Sequence, residues 1–208
     1  DHVNKYLFNG TLPWLFELGR LAMPLFGIVL AYNLARPEIT DRQIKRVILR
    51  LAIFATMVTP FFIALGGVKY GWWPLNILFT LLIATVVVRL LDSGRPVYVL
   101  LAVAIFLFGG FAVEFQWYAI AVVVSAWLFF NKPGAGTAFL VVLAIGSLWF
   151  INANFYALLA IPLVVLASFI RGNFPRLKWL FYGIYPLHLG VLLLIRIPMA
   201  KAGYLFFM

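Results

Sequence analysis

The side chains able to do acid–base chemistry in this sequence stand mostly among apolar neighbours. His188 lies near the middle of an apolar run, with Tyr185 at i−3 and Tyr182 at i−6. Together they form a polar stripe through Phe181-Tyr182-Gly183-Ile184-Tyr185-Pro186-Leu187-His188-Leu189. A neutral imidazole can take a proton from an attacking amine or hydroxyl, and in an apolar setting only a cavity would satisfy it. Asp1-His2 is the other candidate base, since a carboxylate supports the imidazolium formed during proton transfer. Adjacent residues do not face each other on a helix, however. The pair, with Asn4, therefore reads as separate ligands of one site or as solvated residues at the outer mouth. Arg20 stands three residues after Glu17, on the same helical face, so the two are expected to pair. A second duty of Arg20 would be to hold a carboxylate, a carbonyl or a developing anion. Gly19 beside it and Pro24 one turn later would suit a groove. Asn76, just past Pro74, would bond either a neighbouring helix or a ligand, with Thr80 on the same face. Asn33 completes the set of polar residues inside apolar runs.

The elements that must position these groups follow from composition. Of 208 residues 65% are hydrophobic and 11% charged, where a soluble domain carries about 25% charged residues. The chain is therefore read as an all-α, polytopic transmembrane bundle in one domain, residues 1–208. At about 20 apolar residues per span there is room for about eight. The runs are Leu12–Ala35, Val47–Leu65, Trp72–Leu91, Val97–Val113, Gln116–Phe130, Ala135–Ile151, Phe155–Ile170 and Trp179–Pro198. Helix is required because lipid offers backbone groups no partner. Prolines 24, 60, 74, 162 and 186 and the Gly109–Gly110 pair should kink the helices that hold them. Either the kinks are ordinary or they open a cavity.

Basic residues set the orientation. If the loop after the first run is cytoplasmic, Arg36, Arg42, Lys45, Arg46, Arg50, Arg89, Arg95, Lys132, Arg171, Arg176 and Lys178 fall inside, against Lys5, Lys69 and Lys201 outside. Eleven against three places residues 1–13 and the C-terminus on the outer side. Trp14 and the Trp72–Trp73 pair then sit at the outer boundary as an aromatic belt. The net charge of +10 is explained by topology and anionic lipid, which removes the nucleic-acid reading. Arg42, Arg46 and Arg50 recur every four residues with Lys45 alongside. They read as a face for lipid head groups or for the phosphates of a nucleotide-like donor such as coenzyme A. With no cysteine, disulfides, thiolate metal sites and acyl-cysteine intermediates are excluded. Two histidines and six carboxylates make a metal cluster unexpected, and no phosphate-loop, HExxH or GxSxG motif occurs. An alternative class, a small-solute or lipid transporter, fits the kinks and buried polar residues. Against it stand the lack of an internal repeat and of a midplane carboxylate.

Four blocks in order, Asp1-His2-Val3-Asn4, Gly19-Arg20-Leu21-Ala22-Met23-Pro24-Leu25-Phe26, Asn76 with Phe79-Thr80-Leu81, and Tyr182 to Leu189, resemble the TraX family of bacterial inner-membrane proteins. That family is typified by an enzyme that N-acetylates the amino terminus of pilin. The resemblance implies acetyl-CoA as donor and a pilin-like peptide amine, or a glycan amine or hydroxyl, as acceptor. It implies a base in His188 or His2, with Asp1, Arg20, Asn76 and Tyr185 beside it. It also implies that the Asp-His pair closes a first helix preceding this sequence. One departure is Tyr32-Asn33-Leu34, where members commonly show an acidic residue and glycine.

Overall fold

The computed structural model describes residues 1–170 and 178–203, with backbone alone for residues 178–181. Arg171, Arg176 and the Lys178 side chain, counted above as cytoplasmic, lie outside the described residues. Every apolar run is helical. The helices are α1 His2–Leu7, α2 Pro13–Gly19, α3 Ala22–Leu34, α4 Asp41–Ala64, α5 Ile77–Asp92 and α6 Pro96–Ala112. They continue as α7 Gln116–Asn131, α8 Ala135–Ser147, α9 Trp149–Asn152, α10 Ala160–Phe169 and α11 Lys178–Lys201, with a 3₁₀ turn at Tyr156–Leu159 before α10. Four stretches are long and apolar enough to cross a membrane, Pro13–Leu34, Asp41–Ala64, Ala135–Asn152 and Tyr182–Lys201, and the other apolar helices are shorter. The molecule is a helical membrane bundle.

Local chemistry explains where helices start and break. α4 begins well before the apolar run because Thr40 closes a capping box: Gln43 N donates to Thr40 Oγ1 at 3.3 Å and Thr40 N to Gln43 Oε1 at 2.8 Å. The Arg42–Arg50 face is thereby built on a continuous helix. α5 begins later than the run that contains it. Residues 66–76 form a turn in which Tyr70 and Trp73 bridge, so Pro74 lies in a loop and not inside a helix as expected. Pro24 has no N–H to offer the Arg20 carbonyl. The chain tightens there, with Leu21 N donating to Leu18 O at 3.2 Å, and the first run divides into α2 and α3 at Arg20.

α7 is the central helix, packed against α3, α5, α6 and α8. It is apolar all round, as a helix enclosed by others must be. A Cβ on Gly27 of α3 would stand 3.3 Å from the Val123 side chain, so the absent side chain lets α3 lie close to α7. α11 runs beside α4 in the same direction. Tyr182 stacks on Phe54 at one end, ring centroids 5.9 Å apart, and Arg196 Nη1 donates to Leu65 O at 2.9 Å at the other. α1 packs between α2 and α11, and its start points inward. His2 meets His188, which precedes Arg196 by about 12 Å of helix. The Asp1-His2 pair therefore lies inside the bundle, away from the Arg196 end of α11.

Candidate functional site

The break at Arg20 turns its side chain into the bundle, where it is 7% exposed. A guanidinium so far from water must be paired. Its Nη2 forms an ion pair with the Asp1 carboxylate, Nη1 donates to Asn152 Oδ1 at 2.8 Å, and Nε to the Phe16 carbonyl at 3.3 Å. The Phe16 ring lies under the guanidinium at 3.9 Å, a cation–π contact. The expected partner, Glu17, is not the one chosen; Asp1 is. Gly19 makes this approach possible, since a Cβ there would lie 2.6 Å from the Asp1 backbone nitrogen and 2.8 Å from its Cα.

Asp1 and His2 serve different partners, as their adjacency on one helix requires. His2 Nδ1 and His188 Nε2 lie 3.3 Å apart, and two neutral imidazoles at that distance share one N–H···N bond. His2 also stacks on Tyr6, with centroids 5.5 Å apart, and meets Tyr185 at 5.8 Å. Burial, then the neighbouring His188 and nearby positive charges, push the His2 imidazole down to about 3. It is therefore a neutral base at any physiological pH. The hydroxyls of Tyr6 and Tyr185, beside His2, and Nδ2 of Asn152, beside Arg20, are buried and have no hydrogen-bond partner among the described residues. Such unspent polar groups are donors waiting for an acceptor.

The polar stripe of α11 is split between two neighbours. Tyr185 and His188 face α1, whereas Tyr182 faces α4, where the Arg50 guanidinium lies 5.8 Å from its ring. Arg42, Lys45 and Arg46 are exposed and form no ion pair among the described residues. Asn33 donates to Val29 O at 2.8 Å within its own helix.

Asn76 has a scaffolding position. Its Oδ1 accepts from Leu78 N at 3.1 Å, capping α5, and its Nδ2 donates to Ala55 O at 3.0 Å and Thr59 Oγ1 at 3.1 Å on α4. Thr80 Oγ1 donates to Glu114 O at 2.8 Å. Glu114, which the sequence pattern did not mark as a candidate, is thus held by Thr80. Its loop is clamped to residue 75, with Leu75 N donating to Ala112 O at 2.9 Å and Glu114 N to Leu75 O at 2.8 Å. Phe115 and Gln116 follow with φ of 58° and 50°. Non-glycine residues rarely occupy this left-handed region, and each costs about 1–3 kcal/mol there. The Glu114 carboxyl also accepts from Ile77 N–H, and burial pushes it up to about 7 against the pull of Lys5, Ile77 and Arg20. A lone carboxylate in the two-residue gap between Val113 and Gln116, flanked by Phe111 and Trp117, was the available signal. Asn152 also escaped notice, hidden at the end of an apolar run.

A cavity of about 490 Å³ opens in this region, with Asp1, Asn4, Lys5, Arg20, Lys69 and Glu114 on its wall. Asn76 and His188 are outside its lining. Arg20 and Asp1 connect the two parts of the site, because Asp1 lines the cavity and His2 follows it in the chain.

The family described as TraX protein matches the chain over residues 1–196, a stretch that includes every residue of this cluster. No curated protein and no solved structure matches the chain.

Proposed function

This chain belongs to the TraX family, and from that premise we propose that it is a membrane-embedded acetyltransferase. It takes acetyl from acetyl-CoA at the basic, cytoplasmic face of the inner membrane. It delivers the group at the outer face to an amine, the N-terminal amine of a pilin or similar peptide; a glycan amine or hydroxyl is the other acceptor class. The observation that carries this reading is the meeting of His2 and His188, 186 residues apart in sequence, at 3.3 Å. Two half-buried imidazoles in contact can accept a proton and pass it on, and apolar packing alone gives no reason to bring them together.

The acceptor nitrogen attacks the thioester carbonyl carbon. A C–N bond forms, the histidine pair takes the proton that nitrogen sheds, and the C–S bond breaks. The same proton passes to the departing thiolate. The tetrahedral oxyanion is steadied by Arg20 and by the unpartnered Tyr185 hydroxyl, with Asp1 holding the guanidinium in place. Asn76 positions the start of α5. Arg42, Lys45 and Arg46 receive the donor's phosphates as exposed charges, with Arg50 nearer the bundle. Arg42 precedes the level of His188 by about 25 Å of helix, so the donor's long arm must span the inner half of the bundle. Membrane lipids are the remaining partners.

Purified protein supplied with radiolabelled acetyl-CoA and a peptide amine tests the reading. Label should move to the peptide and cease to do so in His188→Ala. No transfer by the wild type, or undiminished transfer by the variant, rejects it.

A further inference from the structure

Near neutral pH a peptide amine, with a pKa of about 8, is mostly an ammonium and has no lone pair for attack. Turning it into an amide strips two protons from the nitrogen. One must leave before the attack and one as the C–N bond forms. The His2–His188 pair accounts for the second, which ends on the thiolate. The first requires another base, on the side from which the acceptor comes.

Glu114 stands there. It lines the cavity of about 490 Å³, within the range of about 300–1,000 Å³ usual for small-ligand sites. Its loop is held by the Leu75 clamp and by the Thr80 hydroxyl, and two left-handed residues follow it. That backbone is costly to keep and directs the carboxyl toward Lys5 and Arg20. Behind that wall the Tyr6 hydroxyl, in a residue 2% exposed, has no hydrogen-bond partner among the described residues. Of the two carboxylates on the wall Asp1 is bound to Arg20, which leaves Glu114 for a cation, with Asn4 and Lys5 as donors for carbonyl oxygens, a match to the first residues of a peptide with a free amino terminus.

We propose that Glu114 is the amine subsite of the acceptor: its carboxylate binds the ammonium in the outer cavity and takes the first proton. The proton then leaves through the cavity to the outer water, so that one acetyl transfer releases one proton overall and no electrons change hands. This proposal rests on the acetyl-transfer reading. Every group acting on the carboxyl is accounted for: Lys5 on α1, Arg20 at the α2–α3 junction, the Ile77 N–H of α5, and Tyr6 and Tyr185, on which Glu114 acts in turn. Burial outweighs the two cations and leaves the carboxyl near 7, close enough to the ammonium for the proton to pass at little cost.

Trialanine amide and its N-acetyl form are the probes. Wild-type protein in detergent should bind the free amine about tenfold more tightly than the acetylated peptide, and Glu114→Gln should erase that preference. In turnover, Glu114→Gln should lower kcat/KM for trialanine amide about tenfold near pH 7, with the deficit closing near pH 9, where the amine is already neutral. A structural defect would not recover with pH. Equal binding of the two peptides by the wild type overturns the proposal, as does a Glu114→Gln deficit that is the same at both pH values or absent at both. Preference for the free amine without any acetyl transfer by the wild type upholds the subsite and rejects the acetyltransferase reading.

Discussion

At the N-terminal end of α4, Arg42, Lys45 and Arg46 stand exposed on a helix surface and form no ion pair among the described residues. The nearby acids are engaged elsewhere: Asp41 and Asp92 with Arg89 at 2.8 and 3.5 Å, Glu38 with Arg36 at 4.0 Å. Around α1 the opposite holds. Arg20 is shut away from water and bound to Asp1, Asn152 and the Phe16 carbonyl at once. Exposed charges act as a field, in which water and salt compensate for any one that is lost. Desolvated charges act as a unit, because each partner removed leaves another buried and unpaired. The Arg20 cluster is therefore brittle and specific, while the α4 face is tolerant and additive.

That contrast predicts a ranking of effects. Replacing His188 or His2 by alanine should reduce acetyl transfer at least about a hundredfold, with the double variant little worse than either single one, as residues acting as a unit behave. Radiolabel transfer measures it; losses that multiply would show that the imidazoles act independently. Next comes Arg20→Ala, expected to cost about 2–3 kcal/mol of stability by stranding Asp1 and Asn152. A thermal shift of detergent-solubilised protein reads this out, and Arg20→Lys should not restore it because an ammonium lacks the planar fork.

Acid should act third, through His2. The folded pKa of His2 lies below its unfolded value of 6.5, so between about 6.5 and about 3 the unfolded chain binds the extra proton. Stability is full above that window and falls as pH drops through it. Melting temperature should decline from pH 7 to pH 5, and His2→Gln should flatten the decline. The smallest effect belongs to Arg42→Gln, Lys45→Gln or Arg46→Gln taken singly. Each should change stability by less than about 0.5 kcal/mol and raise KM for acetyl-CoA only a few-fold, more at low salt than at high. A single substitution on the α4 face as damaging as Arg20→Ala would break the contrast.

Much of the architecture could be read in advance because apolar runs in lipid have one solution, the helix. All eight became helical, although ends moved and the first run broke in two at Arg20. The Thr40 cap extended α4, and the turn ending at Asn76 shortened α5. The site was readable where a polar residue sat conspicuously in an apolar run, as with Arg20, Asn76 and His188. It was not readable where polarity coincided with a break between runs. Glu114 and Asn152 look like ordinary boundary residues until the loop folds inward.

Medium, helix content and the presence of buried titratable groups are properties of composition and local pattern, and a one-dimensional string carries them in full. Partnership is a property of distance. Arg20 had Glu17 three residues away and paired with Asp1, because Gly19 permits the α1 backbone to come within contact while Pro24 turns the arginine away from its own helix. The neighbouring Asp1 and His2 were sent to different partners, and His2 reached His188 from the far end of the chain. Such choices depend on how whole helices pack, since electrostatic and hydrogen-bond energies fall off over a few ångströms and sequence spacing says nothing about approach at that scale.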